Sequence, residues 1–290
     1  MNKSLDYAIM LHETADHHNI QSGYQIQGRT YDNYLSNESW KTFKTEMERQ
    51  NPLAYKMYAE GGGKELEERK SGRYTYPPKM ASFGSSSRMI YNLMKNTAGF
   101  LFEKKLSTTV GGIANLDGFL ETDKKCVFVE AKCREPYTEK SAEIDVKYKA
   151  LYQTLTSINC AIQTVDGKKM RVVFSVGGMV IYHFDIKQMI CHLLGIASAY
   201  LKGVYNKQID FIYLLYNPTM LDIKNGKHKE AICHIYQSTV KECACVDFKK
   251  LFYEILCYLQ REENLGSGKD ASIIADQFSF RICDQFNMNV

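Results

Sequence analysis

Asp117 and the triplet Glu130-Ala131-Lys132 are the residues of this 290-residue chain whose types and spacing best suit chemistry. They fall in two short apolar runs, 114–121 and 126–133, which read as strands joined by Thr122-Asp123-Lys124-Lys125. Side chains alternate across a strand, so Cys126, Phe128, Glu130 and Lys132 share one face. In an antiparallel pair centred on that turn, opposed residue numbers sum to 247. Asp117 then lies across from Glu130, Asn115 across from Lys132, and Phe119 across from Phe128. Opposed residues have Cβ atoms about 4.5–5.5 Å apart. Two ionised carboxylates roughly 4 Å apart repel by about 4 kcal/mol at a surface-like dielectric, and Lys132 offsets only part of that.

A divalent cation offsets far more. Mg²⁺ takes oxygen ligands at about 2.0–2.1 Å and keeps several waters, which leaves positions for a phosphate and an attacking water. A lysine one pleat along can orient that water or balance charge on the phosphate. The run Cys126-Val127-Phe128-Val129 marks a strand buried on both faces, and a carboxylate and a lysine ending such a strand belong to a site rather than to bulk solvent. The plain alternative is a surface hairpin with scattered charges.

These residues resemble the PD-(D/E)xK nuclease superfamily, whose signature is an acid on one strand and (D/E)-x-K on the next. Asp117 matches the first acid and Glu130-Ala131-Lys132 the second half, while Asn115-Leu116 stands where a proline often precedes the aspartate. The resemblance covers about residues 88–216. It implies a restriction-endonuclease-like α/β fold, a mixed central sheet flanked by helices. It also implies a Mg²⁺-dependent phosphodiesterase acting on DNA, with Mn²⁺ as a substitute. By the same resemblance Asp117, Glu130 and the Ala131 carbonyl bind the metal and Lys132 supports the nucleophile. Glu103 resembles the glutamate that many members place on the preceding helix beside the metal; its alternative is a solvated face next to Lys104 and Lys105. Gln188 resembles a glutamine found on the helix after E-x-K. Asp185 with Gln188 also fits a capping box, and Gln153 competes for the same role.

Alternating strands and helices must position these groups. Residues 1–35 read as weakly structured or as one short helix, and 39–59 as helix interrupted near Pro52. Gly61-Gly62-Gly63 and the stretch from Pro77-Pro78 to Ser87 set off an N-terminal extension, 1–87, from a core, 88–262, and a polar tail, 263–290. Within the core the pattern predicts a helix over about 88–106 carrying Glu103, then the 114–133 hairpin and a long helix over 138–162. A second hairpin, 170–176 and 179–184, turns at Gly177-Gly178. A helix capped by Asp185, a buried strand over 209–216, a strand over 231–236 and a helix over 248–260 complete the α/β reading.

Composition bounds the function. With 44% hydrophobic residues, 14 Phe and 20 Tyr, most of the chain can build a core, which excludes disorder. No apolar run approaches the roughly 18 residues of a membrane span, and the start does not read as a secretory signal. Nine cysteines without framework spacing point to reduced thiols in a cytoplasm. A net charge of +4 permits DNA as a partner without requiring it. In the basic loop from Lys224 to Lys229, Lys224, Lys227 and Lys229 are the expected DNA contacts, because Asn225 and Gly226 allow close backbone approach. A homodimer is left open. One rival is an inactive nuclease fold that binds DNA or serves as a structural subunit. Another is a zinc hydrolase built on His12, Glu13, His17 and His18, or on Cys233, His234, Cys243 and Cys245. His12 and His17 are five residues apart rather than four, and the cysteines lack C-x2-C spacing and suit a strand better.

Overall fold

The computed structural model describes residues 20–61, 64–137, 143–164, 166–219 and 226–288. Its first element is a hairpin of β1 (Ser22–Ile26) and β2 (Arg29–Leu35). The turn holds Gln27 and Gly28 at φ 51° and 71°, the left-handed pair that a two-residue hairpin requires. This hairpin stands where the sequence pattern suggested weak structure or one short helix. Residues 1–19, with His12, Glu13, His17 and His18, lie outside the described residues. Helices α1 (Asn37–Gln50) and α2 (Pro52–Glu60) divide at Asn51, whose side chain accepts from Ala54 N at 3.1 Å, with Pro52 beginning the second helix. A short hairpin of β3 (Arg69–Ser71) and β4 (Tyr74–Tyr76) leads to α3 (Ser86–Met94), capped by Ser85.

Next comes an antiparallel meander, β5 (Leu101–Ser107), β6 (Ile113–Glu121) and β7 (Lys125–Lys132). The helix expected over 88–106 therefore ends at Met94, and its second half is β5. Gly99, at φ 75°, turns the chain between them. Phe100, Phe102 and Leu106 are buried at even spacing, the period of a strand, whereas residues two apart face opposite sides of a helix.

The helix expected over 138–162 is replaced by β8 (Glu143–Asp145), the short α4 (Lys149–Thr154) and β9 (Asn159–Thr164), with 138–142 outside the described residues. α4 stops where Leu155 turns extended, and Thr156 and Ser157 then donate backbone N–H groups to Glu254 at 3.1 Å. That carboxylate satisfies donors a continuing helix would have bonded itself. β10 (Lys169–Val176) pairs with β8 and β9 and turns through Gly177-Gly178 into β11 (Met179–Val180), shorter than the strand expected over 179–184.

The remainder comprises α5 (Ile186–Leu201), β12 (Gln208–Leu215), α6 (Gly226–Ala244), α7 (Phe248–Glu262), α8 (Ala271–Asp276) and β13 (Phe278–Asp284). Residues 231–236 lie inside α6 and do not form a strand. Ile232, Ile235, Thr239 and Cys243 are buried at intervals of three and four, the period of a helix face. The presumed polar tail instead supplies α8 and β13, and β13 runs parallel to β12 along its length.

The central sheet has the order β13-β12-β7-β6-β5, parallel on one side of β7 and antiparallel on the other. α5 and α7 cover one face, where Phe119, Phe128 and Phe211 join their apolar side chains. The other face packs Val127, Val129 and Ile212 against Trp40, Tyr58 and Ile90 from the first ninety residues. The architecture is thus α/β, a mixed five-stranded sheet between helical layers. Among the described residues no helix is long and apolar enough to cross a membrane.

Candidate active site

Strand pairing aligns three acids. The β6–β7 ladder runs from Glu121↔Cys126 to Gly118↔Val129, the expected register, and stops one pair short of Asp117 and Glu130. Instead of continuing the ladder, Asp117 Oδ2 accepts from Ala131 N at 2.7 Å. On the other side, Phe102 pairs with Gly118 and Lys104 with Leu116, so Glu103 meets Asp117 at an interrupted position. Glu103 is on β5, not on a helix, and sits at φ 54°, a left-handed conformation that costs a non-glycine residue energy. Glu103, Asp117 and Glu130 thus stand level on three adjacent strands.

Glu130 and Lys132 are nearly solvent-free, at 2% and 5% exposure, and the Lys132 ammonium bonds Glu130 Oε1. Lys132 Nζ also donates to Gln188 Oε1 at 2.7 Å. Asp185 caps α5 through the Gln188 backbone at 3.0 Å, and the Gln188 side chain reaches the site. Gln153 is exposed on α4, and the helix after the strand pair supplies Gln188. From one turn further along α5, His192 places Nε2 2.9 Å from Glu130 Oε2.

Asp117, Glu130, Lys132, Glu103 and Gln188 all line one cavity of about 420 Å³. Its opposite wall comes from the first ninety residues, through Glu65, Lys79 and the serines opening α3. Lys79 pairs with the buried Glu65 at 3.0 Å. Sequence reasoning missed Glu65 and Lys79, which lie in a stretch without periodicity. It also gave no role to His192, although its spacing of four from Gln188 puts both on one helix face.

Electrostatics distinguish the three carboxyls. Burial and the neighbouring Glu130 push Asp117 well above the usual carboxylate range, against the pull of Lys132 and of the Ala131 N–H bond. Burial, with Glu65 adding to it, raises Glu103 to about 7. Burial would also raise Glu130, but Lys132 and His192 beside it prevail and bring it down to about 2.

The donors are hard oxygens of the kind Mg²⁺ takes, and Glu130 Oε2 is buried without a hydrogen bond. With Lys132 on Glu130 Oε1, however, no three His, Cys, Asp or Glu side chains among the described residues converge as a metal site. Cys233, His234, Cys243 and Cys245 form no such group either, and all nine cysteines are free thiols.

The expected DNA-contacting lysines are not gathered here. Lys224 and the Lys227 side chain lie outside the described residues, and Lys229, half-buried on α6, does not line the cavity. The cations lining it besides Lys132 are Arg69, Lys79 and Arg134. Comparison with known proteins finds no match to this chain among protein-family models, curated proteins or solved structures.

Proposed function

We propose that this chain is a Mg²⁺-dependent nuclease that hydrolyses DNA phosphodiester bonds, with a restriction-endonuclease-like core of the PD-(D/E)xK type. The observation that carries the reading is the meeting of Asp117, Glu130 and Lys132 in one cavity, on adjacent antiparallel strands, with Glu130 and Lys132 buried. The succession α3–β5–β6–β7, followed after the β8–β11 segment by α5 and β12, supports it, as does Glu103 standing level with the other acids.

Asp117 and Glu130, with the Ala131 carbonyl and Glu103 completing the shell, would hold Mg²⁺ or Mn²⁺, which supplies charge stabilisation to the phosphate and acidity to a bound water. Lys132 must leave Glu130 for that carboxylate to serve, and its other contact, Gln188 Oε1, keeps the ammonium at the cavity. There it orients the attacking water and balances charge on the phosphate. Arg69, Lys79 and Arg134 give the DNA backbone a cationic approach to the cavity. The bond between Lys132 and Glu130 also suits the second reading, an inactive nuclease fold that only binds DNA or acts as a structural subunit.

Supercoiled plasmid separates the two. Incubated with Mg²⁺, the active enzyme converts it to nicked or linear DNA, and EDTA stops the conversion. Plasmid retained by the protein but left intact across Mg²⁺ and Mn²⁺ concentrations would favour the inactive fold.

A further inference from the structure

The cavity wall opposite the sheet holds a group of serines that the hydrolytic reading does not use. Ser82, Ser85, Ser86 and Ser87 line it together with Gly84. The turn they form is fastened from several sides. Ser82 Oγ accepts from Gly84 N at 3.2 Å, and Ser85 Oγ caps α3 by accepting from Arg88 N at 3.1 Å. Phe83 N donates to Asn33 O on β2 at 3.0 Å, and from the core the Tyr58 hydroxyl donates to Ser87 O at 3.1 Å.

Within that fixed turn several donors have nothing to bond. Ser86 and Ser87 are the first two residues of α3, and among the described residues their backbone N–H groups have no acceptor. Any helix start leaves such donors, and alone they would mark no site. The Ser87 side chain is a separate observation. It is 6% exposed, and its hydroxyl makes no hydrogen bond among the described residues, although a hydroxyl so buried is normally bonded. Its oxygen is not sealed from solvent, as the unbonded atoms of Glu130, His192 and Tyr213 are, so its small opening is onto the cavity that Ser87 lines. The Ser85 oxygen accepts in its capping bond, which leaves its O–H to donate.

Donors of this kind call for an oxyanion. A helix start favours negative charge, and Lys79 and Arg69 line the same cavity. One of the three Lys79 donors goes to Glu65, which leaves two. Two N–H groups, the serine hydroxyls and two cations exceed what the two oxygens of a carboxylate accept, whereas a phosphoryl group brings three strong acceptor oxygens. Of the acids in the cavity, Glu65 and Glu130 are each bonded to a lysine, which lowers the repulsion such an anion meets. We propose that the start of α3 is a seat for a phosphoryl group, held by the Ser86 and Ser87 N–H groups and the Ser87 hydroxyl, with Lys79 and Arg69 as counter-charges. The seat belongs to the wall opposite Asp117 and Glu130 and does not rest on the metal-dependent reading. A phosphate at a strand end, one within a strand and free phosphate all present the oxygens it recognises.

The test is titration of inorganic phosphate, followed by phosphorus magnetic resonance in EDTA, on the full chain and on Ser87→Ala and Ser86→Pro. Ser87→Ala deletes the hydroxyl alone. Ser86→Pro deletes an N–H at the first helical position, where the fixed φ of proline suits a helix, and Ser85 before it already has the extended ψ of 118° that a following proline demands. Each variant should bind phosphate about tenfold more weakly, the effect of one hydrogen bond to a charged group, with an unaltered circular dichroism spectrum. No phosphate binding by the unsubstituted protein, or equal binding by all three, would overturn the proposal. If Ser86→Pro does not fold, Ser87→Ala alone decides. Competition by a short DNA strand, with and without a terminal phosphate, then identifies the source. Displacement by the phosphorylated strand alone indicates a strand end, displacement by both indicates phosphates within the strand, and displacement by neither indicates free phosphate; each upholds the seat. Plasmid cleavage by a protein that fails the phosphate test would leave the metal-dependent reading standing and remove this one.

Discussion

At Asp117 two effects act in the same direction: loss of solvent and the nearby Glu130 both favour the neutral acid. An asparagine mimics that neutral form and can still accept from Ala131 N, the bond Asp117 makes now. Asp117→Asn should therefore leave unfolding free energy within about 1 kcal/mol of the unsubstituted protein, while plasmid cleavage falls to background. Lys132 is different, because its ammonium is the main counter-charge of a buried Glu130. Lys132→Met strands that charge and should cost about 3–5 kcal/mol in urea unfolding. Glu130→Gln added to it should recover much of the loss without restoring cleavage. Equal stability of the Lys132→Met single variant and the unsubstituted protein would show that the pair is not what holds Glu130 ionised.

One close contact governs how α5 delivers Gln188 and His192. Gly195→Ala must displace Ala114 or Leu106, whose Cβ atoms are anchored to strand backbone and cannot rotate away. Overpacking of this kind costs about 1–3 kcal/mol, and a helix lifted from β5 and β6 also withdraws both side chains from the site. Urea unfolding and plasmid cleavage should decline together in Gly195→Ala. Undiminished stability would mean that the helix has slack against the sheet.

At this same scale the sequence is legible where a local rule decides. The turn after Glu121 set the β6–β7 register up to Gly118↔Val129, Asp185 marked the start of α5, and Gly177-Gly178 marked the β10 turn. It was not legible where short apolar runs satisfy two periods. Phe100 and Leu101 extend the helical spacing of Met89, Ile90, Leu93 and Met94, so Glu103 was assigned to the wrong element although its place beside the other acids survived. The segments now seen as β9 and β13 depend on distant partners, β10 and β12, which no local pattern announces. Residues 231–236 read as a strand because the window was too short to show the burial at Thr239 and Cys243.

On the scale of the whole molecule, the cavity lies between the sheet and the first ninety residues, so its charge balance belongs to both. Glu65 from the extension helps raise Glu103 to about 7. A group whose folded pKa lies above its unfolded value holds a proton that the unfolded chain has released. For Glu103 the window runs from about 4.5 to about 7, and across it stability falls as pH rises. Asp117 acts in the same direction. On the proposed reading a cation needs these carboxyls ionised, so its binding would oppose the loss. The increase in melting temperature produced by Mg²⁺ should be larger at pH 8 than at pH 6. A shift independent of pH would place the binding elsewhere than at Glu103 and Asp117.

The central claim, that these acids jointly take up a divalent cation, is tested most directly by calorimetric titration of Mn²⁺ into the unsubstituted protein and Asp117→Asn at pH 8. The account predicts saturable binding by the first and binding weakened at least about 100-fold in the second, in keeping with loss of a charged ligand worth several kcal/mol. No uptake of Mn²⁺ by the unsubstituted protein, or equal affinity in the two, would contradict it.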